Sequence, residues 1–161
     1  MDELKSLHEA LGLQNVVPYI QSGNVVFVTS DSADSAQLGK QIEDAFEKSF
    51  GFHAEVIVRS AAELSSIIEQ NPFQGQQDKA SKWVVVIFLA TRPDHQAQEA
   101  LRCAYTGPEE FFITGKELYV YYAAGIGRSK LTLSFIERKL KTTGTARNWN
   151  TILQLQELMR R

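Results

Sequence analysis

Two β-rich runs, VVPYIQSGNVVFVT at 16–29 and EEFFITGKELYVYY at 109–122, each break at a glycine-containing tetrapeptide and each lie between helical patterns. A hairpin framed by helices buries its apolar face against those helices, which restricts the chain to layered α+β arrangements. In the first run the break falls at Gln21-Ser22-Gly23-Asn24. Glycine there supplies the positive φ of a tight turn, and Pro18 suits an edge position that needs no ladder donor. In the second run the break falls at Thr114-Gly115-Lys116-Glu117.

The flanking patterns complete each group. Leu4, Leu7 and Leu11 recur at i, i+3, i+7 and predict a helix over 3–12. A second helix is expected over 35–50, capped by Asp34 or Ser35, ended by Gly51, with Leu38, Ile42, Ala45, Phe46 and Phe50 on its inner face. HAEVIVR at 53–59 has strand composition, and a short helix at 61–70 follows Ser60. After the polar stretch NPFQGQQDKAS come a strand at 82–90, a helix at 93–104 and the second hairpin. A helix from about Ser129 to 141, an extended piece at 143–147 and a helix from about Trp149 finish the chain.

Residues 82–147 thus read βαββαβ, the split βαβ unit of ferredoxin-like folds, and residues 3–59 read αββαβ, the same order without its opening strand. The expected fold is α+β, two tandem ferredoxin-like halves, the first missing its opening strand. Its domains are 1–70, a linker at 71–81, and 82–161 with the terminal helix. A sheet stripped of a central strand exposes ladder groups. Met1 is therefore expected to be an internal methionine of a longer natural chain, or the gap to be filled by a second copy in a homodimer.

A 43% hydrophobic and 22% charged composition is that of a folded domain and excludes disorder. The longest apolar run, WVVVIFLA from Trp83 to Ala90, is too short to span a bilayer. MDELKSLHEALG has no apolar signal core, and a single cysteine permits no internal disulfide. A cytoplasmic protein with no membrane partner is the expectation. Charge is uneven: from Arg128 to Arg161 eight Lys/Arg face two Asp/Glu, whereas the rest of the chain is acidic. Such a split steers anionic partners to one part of the molecule, although exposed helix faces need charge of some sign in any case.

YIQSGNVVF (19–27), NPF (71–73), GIGRSKLT (125–132) and TARNWNTI (145–152) together resemble the bacterial family known as domain of unknown function 1697. The resemblance covers essentially the whole chain. It implies an opening strand with a glycine-rich loop of the type R-G-I-N-V-G-G ahead of a Met-x-x-L-x-x-L helix, which here is Met1 to Leu7. It implies no particular activity.

Three stretches bear chemistry. In GIGRSK, the glycines Gly125 and Gly127 precede Arg128, Ser129 and Lys130 at an expected helix start. Backbone amides and the helix dipole there form an anion site, and the cations strengthen it. The same residues serve equally as a turn and a cap, and the spacing is not that of a P-loop. Lys130, Ser134, Arg138 and Lys141 line one expected helix face, either solvated charge or a track for phosphates. In ARNWN, Arg147 can fork to a phosphate or carboxylate, Asn148 and Asn150 can read amide-like edges, and Trp149 can stack. Equally, Asn148 caps the last helix and Trp149 anchors it.

Tyr119 and Tyr121 share a strand face, but the aromatic pattern of RNA-binding sheets is absent, and core packing is the simpler role. His8, His53 and His95 form no metal-binding spacing, Cys103 is expected to be a small buried hydrophobe, and no cofactor fingerprint occurs. The reading is an anion-binding module for a phosphate-bearing small molecule or nucleic acid, with no metal and no cofactor. Its site residues are Gly125, Gly127, Arg128, Ser129, Lys130, Arg147, Asn148 and Asn150. The rival is a small hydrolase or transferase that acts on an anionic substrate between the two halves.

Overall fold

The run Val84–Leu89 is buried at all six positions, which requires cover on both faces and a neighbour along both edges. In a computed structural model that describes residues 2–19, 23–29, 34–75, 81–122 and 129–160, it has both. The elements are α1 (Asp2–Ala10), β1 (Gln14–Tyr19), β2 (Asn24–Val28), α2 (Ser35–Phe50), α3 (Ala61–Glu69), β3 (Val84–Leu89) and α4 (His95–Ala104). After them come β4 (Glu110–Thr114), β5 (Glu117–Tyr121), α5 (Leu133–Leu140), β6 (Gly144–Asn148) and α6 (Trp149–Met159). The protein is α+β, with six α-helices and two antiparallel sheets among the described residues. Among the described residues no helix is long and apolar enough to cross a membrane.

The chain divides into two compact units, Met1–Ser65 with Gln154–Arg161, and Ser66–Leu153. In the second unit four antiparallel strands run in the order β4-β5-β3-β6. Val85, Ile87 and Leu89 join Leu118 and Val120 on one face and pack with Leu101 of α4 and with Ile136 and Leu140 of α5. On the other face Val84, Val86, Phe88 and Tyr119 are also buried. There the Tyr119 hydroxyl donates to the Ile67 carbonyl at 2.7 Å, and Phe73 packs against Phe112 and Tyr121. Tyr119 is thus a core residue, as its sequence setting implied, and burial raises its pKa. The β4–β5 turn follows the glycine: Gly115 has φ +60 between the paired Thr114 and Glu117.

In the first unit β1 and β2 form a two-stranded sheet, with Tyr19 opposite Asn24. The tip residues 20–22 lie outside the described residues. Leu7, Leu13, Val16, Leu38 and Ile42 form the core, and His8 is buried among them, its Nδ1–H donating to the Leu4 carbonyl at 2.8 Å. Asp34 caps α2 by accepting from the Ala36 amide at 2.9 Å, and Gly51 ends the helix in the left-handed region. A reciprocal pair, Ser60 Oγ with the Glu63 amide and Glu63 Oε1 with the Ser60 amide, starts α3.

Three expectations are corrected. Residues 53–59 form no ladder: strand composition cannot make a strand without an edge to join. The Val56 amide instead donates to Glu43 Oε1 at 2.8 Å, while Val56 and Val58 still pack on the core. Leu11 and Phe50, expected on inner faces, are exposed, since α1 ends at Ala10 and Phe50 sits at the last position of α2, stacked on Phe46. Cys103 is exposed, because it lies two residues, about half a helical turn, from the buried Leu101.

β6 approaches β3 closely at Gly144, where a Cβ would stand 3.0 Å from Ile87 Cγ2 and 3.1 Å from the Phe88 carbonyl oxygen. Gly144→Ala is expected to lower stability by about 1–3 kcal/mol, read from the urea midpoint. An unchanged midpoint would mean that the two strands separate at no cost.

Candidate functional site

Gly125, Gly127 and Arg128 lie outside the described residues, and the helix they were expected to open begins later. α5 starts at Leu133, where Thr132 Oγ1 accepts from the Phe135 amide at 3.2 Å. Ser129 is no cap. Its hydroxyl accepts from the Leu131 amide at 2.9 Å and hydrogen-bonds to the Glu109 carboxylate. The first-turn amides of the helix therefore belong to residues 133–136 and not to the GIGRSK segment. Lys130 precedes the helix, so the expected cationic face keeps only Ser134 and Arg138 on α5, with Lys141 as its left-handed C-cap. Arg138 and Lys139 both lie within 6 Å of the Phe135 ring centroid, at 5.7 and 5.8 Å.

Arg147 and Asn148 are consecutive on β6, and successive strand residues point to opposite faces. Arg147 pairs with Val86 and Asn148 with Val85, so the two side chains leave the sheet on different sides. Arg147 is half-buried, its Nη1 donates to the Thr145 hydroxyl and the Ala146 carbonyl, and burial pushes its pKa down from the usual arginine value. Asn148 Oδ1 accepts from the Thr151 amide at 2.9 Å and caps α6, and Trp149 is buried beside Ile152. Asn150 is exposed in the first turn. Sequence reasoning grouped these polar residues, and the pleat separates them.

Asn148 has other company. Lys82, Trp83, Val85, Tyr122, Ala146 and Asn148 line an open pocket of about 290 Å³ at the end of the second sheet. Val85 and Ala146 supply its apolar lining. Trp83 is 36% exposed, and the Lys82 ammonium lies 5.2 Å from its ring centroid. The Tyr122 amide donates to the Trp83 carbonyl at 2.9 Å and its hydroxyl to the Leu131 carbonyl at 2.8 Å. Burial pushes the Tyr122 pKa up to about 12. Tyr122 is the residue from which the chain departs into 123–128, the segment that carries Gly125, Gly127 and Arg128. Lys82 and Trp83 were missed by sequence reasoning; the signal was an exposed-type Lys-Trp pair immediately ahead of an apolar run.

Close to this end lies the buried Glu109. The Tyr105 hydroxyl donates to its Oε2 at 2.6 Å, and a Cβ on Gly107 would overlap that hydroxyl. Burial pushes the carboxyl pKa up, but hydrogen bonds from Ser129 and Tyr105 outweigh it and hold the group below the usual carboxylate range.

The first unit holds two further polar clusters. A cavity of about 460 Å³ has a polar lining of Gln14, Thr29, Asp34, Gln37 and Gln41, with no cation among the described lining residues. Glu43, His53 and Glu55 bring three metal-type ligand atoms within 4.8 Å of one another, a grouping that no local spacing announces because Glu43 is on α2 and the others follow it. His53 and Glu55 are exposed, and Glu43 is already tied to the Val56 amide.

Because Glu109 ionises more readily when folded, its bonded carboxylate contributes stability that is present above the ordinary carboxylate range and lost as pH falls through its lowered folded value. Tyr105→Phe is expected to cost about 1–2 kcal/mol at neutral pH and clearly less near pH 3 (urea denaturation at both values). An equal cost at both would show that the bond does not depend on the carboxylate charge.

No curated protein sequence matches the chain. The chain is similar in structure to the conserved bacterial protein SP0830 from Streptococcus pneumoniae, with a TM-score of 0.72 and 19% identity over 100% of this chain and 89% of that one. That likeness speaks for the fold alone. The model of the family described as "Protein of unknown function (DUF1697)" matches residues 1–119, most of the chain, and the protein belongs to that family.

Proposed function

We propose that the protein is a cytoplasmic anion-binding module that holds a phosphate-bearing molecule at the open end of its second sheet, and that it is built from two ferredoxin-like halves. The architectural part is supported by the second unit, where the order β3-α4-β4-β5-α5-β6 combines with the sheet order β4-β5-β3-β6. That is a split βαβ arrangement with its first strand central. The first unit contributes a hairpin between two helices and the segment 53–59.

One observation carries the functional part: the pocket that gathers Lys82, Trp83 and Asn148 also contains Tyr122, from which the Gly125–Arg128 segment departs. An ammonium and a side-chain amide lining one pocket are groups that bind phosphate oxygens by hydrogen bonds, charge-assisted in the case of the ammonium. Arg128 and Lys130 flank that segment. Arg147 adds positive potential from the opposite face of the same strand. The surplus of cations from Arg128 onward steers anions toward this part of the chain.

A salt titration of binding tests the proposal, with pyrophosphate and with short single- and double-stranded DNA as probes. Binding is expected at low ionic strength and should weaken as salt rises. Lys82→Ala and Arg128→Ala should each weaken it about 5–10-fold, and Arg147→Ala less. Absence of binding to every probe at low salt would overturn the reading.

A further inference from the structure

Resting on that reading, we infer that the anion carries a flat aromatic ring held against Trp83, so that the ligand class is a nucleoside phosphate. A site for bare phosphate needs donors and no apolar wall. This pocket has one: Val85 and Ala146 line it beneath a tryptophan that is 36% exposed. The second unit has a covered place for indole, as Trp149 shows at 8% exposure. Trp83 instead presents ring surface to the pocket.

The polar groups match the edges of a base with its phosphate. Asn148 Oδ1 is already used by the Thr151 amide, so its Nδ2 presents N–H donors, which suit ring carbonyls and ring nitrogens. The Tyr122 hydroxyl is directed to the Leu131 carbonyl, so its ring acts as wall. The Lys82 ammonium lies over one face of the indole, at 5.2 Å from its centroid, where it can meet a phosphate attached to a ring stacked on the other face of Trp83. The volume, about 290 Å³, falls just below the range for small-molecule sites, about 300–1,000 Å³. It takes one base with its substituent and leaves no room for a dinucleotide.

The chemistry of base plus phosphate also occurs at the end of a nucleic-acid strand. The free mononucleotide is the committed source, since Tyr119 is buried and hydrogen-bonded to Ile67, which removes the aromatic platform a strand would follow across this sheet.

The test uses the full chain and four probes: ribose 5-phosphate, inorganic phosphate, the four common nucleoside monophosphates, and a six-nucleotide single strand. Binding is followed by calorimetry and by tryptophan fluorescence, in which both tryptophans emit and the exposed Trp83 is the one open to contact quenching. At least one monophosphate is expected to bind about 10-fold or more tightly than ribose 5-phosphate and to quench the fluorescence. Trp83→Leu should bring the ratio of monophosphate to ribose 5-phosphate affinity to about 1, whereas Trp83→Phe should keep part of the preference. The Phe variant and the melting curves of both guard against a folding defect. Equal affinity for ribose 5-phosphate and every monophosphate overturns the ring inference while the anion reading stands. A strand that binds with ring preference where no mononucleotide does overturns the choice of source. Failure of all four probes to bind overturns the anion reading itself.

Discussion

β3 is hydrogen-bonded along both edges, to β5 from Val84 to Phe88 and to β6 from Val85 to Leu89. Each residue of this strand has apolar cover on its side of the sheet, and that double burial fixes the register of its neighbours, because a one-residue slip would exchange the faces. Tyr122 meets Trp83, and Asn148 stands opposite Val85, only in this register. The pocket at the strand ends is therefore a consequence of core packing rather than of loop conformation. Its shape is as stable as the sheet.

The same alternation limits what β6 can contribute. A cation and an amide adjacent in sequence look like one recognition element, yet the pleat sends Arg147 toward the Val86 row and Asn148 toward the Val85 row. Arg147 spends hydrogen bonds on Thr145 and Ala146, and its partial burial costs desolvation. The half-buried guanidinium thus bonds to its own strand. Asn148 does two things at once, closing the first turn of α6 and bordering the pocket, because a cap uses only the side-chain oxygen.

Much of the fold was legible in the sequence because its signals are local. Gly115 and Gly51 announce positive φ, Asp34 announces a cap, and the run through Leu89 announces a strand covered on both sides. What the sequence concealed depends on distance. HAEVIVR carries strand composition, but a strand is made by its partner, and the Val56 amide found the Glu43 carboxylate instead. The start of α5 moved from Ser129 to Leu133 because Ser129 was engaged by Leu131 and Glu109, and Thr132 was left to cap. Lys82 and Trp83 read as part of the strand at 82–90, and only the fold brings them beside Tyr122 and Asn148 at the end of the sheet.

The ionisable groups around that site are committed to structure, and this bears on whether it binds or transforms. A general acid or base works best with a pKa near the operating pH and a proton free to move. The Tyr122 hydroxyl is pushed up to about 12 and given to the Leu131 carbonyl. Glu109 is moved the other way, below the carboxylate range, and accepts from Tyr105 and Ser129. Both shifts lead away from neutrality, and both groups are held by partners that a proton transfer would have to break. Lys82 offers charge, and Asn148 offers a donor that does not titrate. Neither the Tyr122 hydroxyl nor the Glu109 carboxylate is thus poised as a general acid or base near neutral pH.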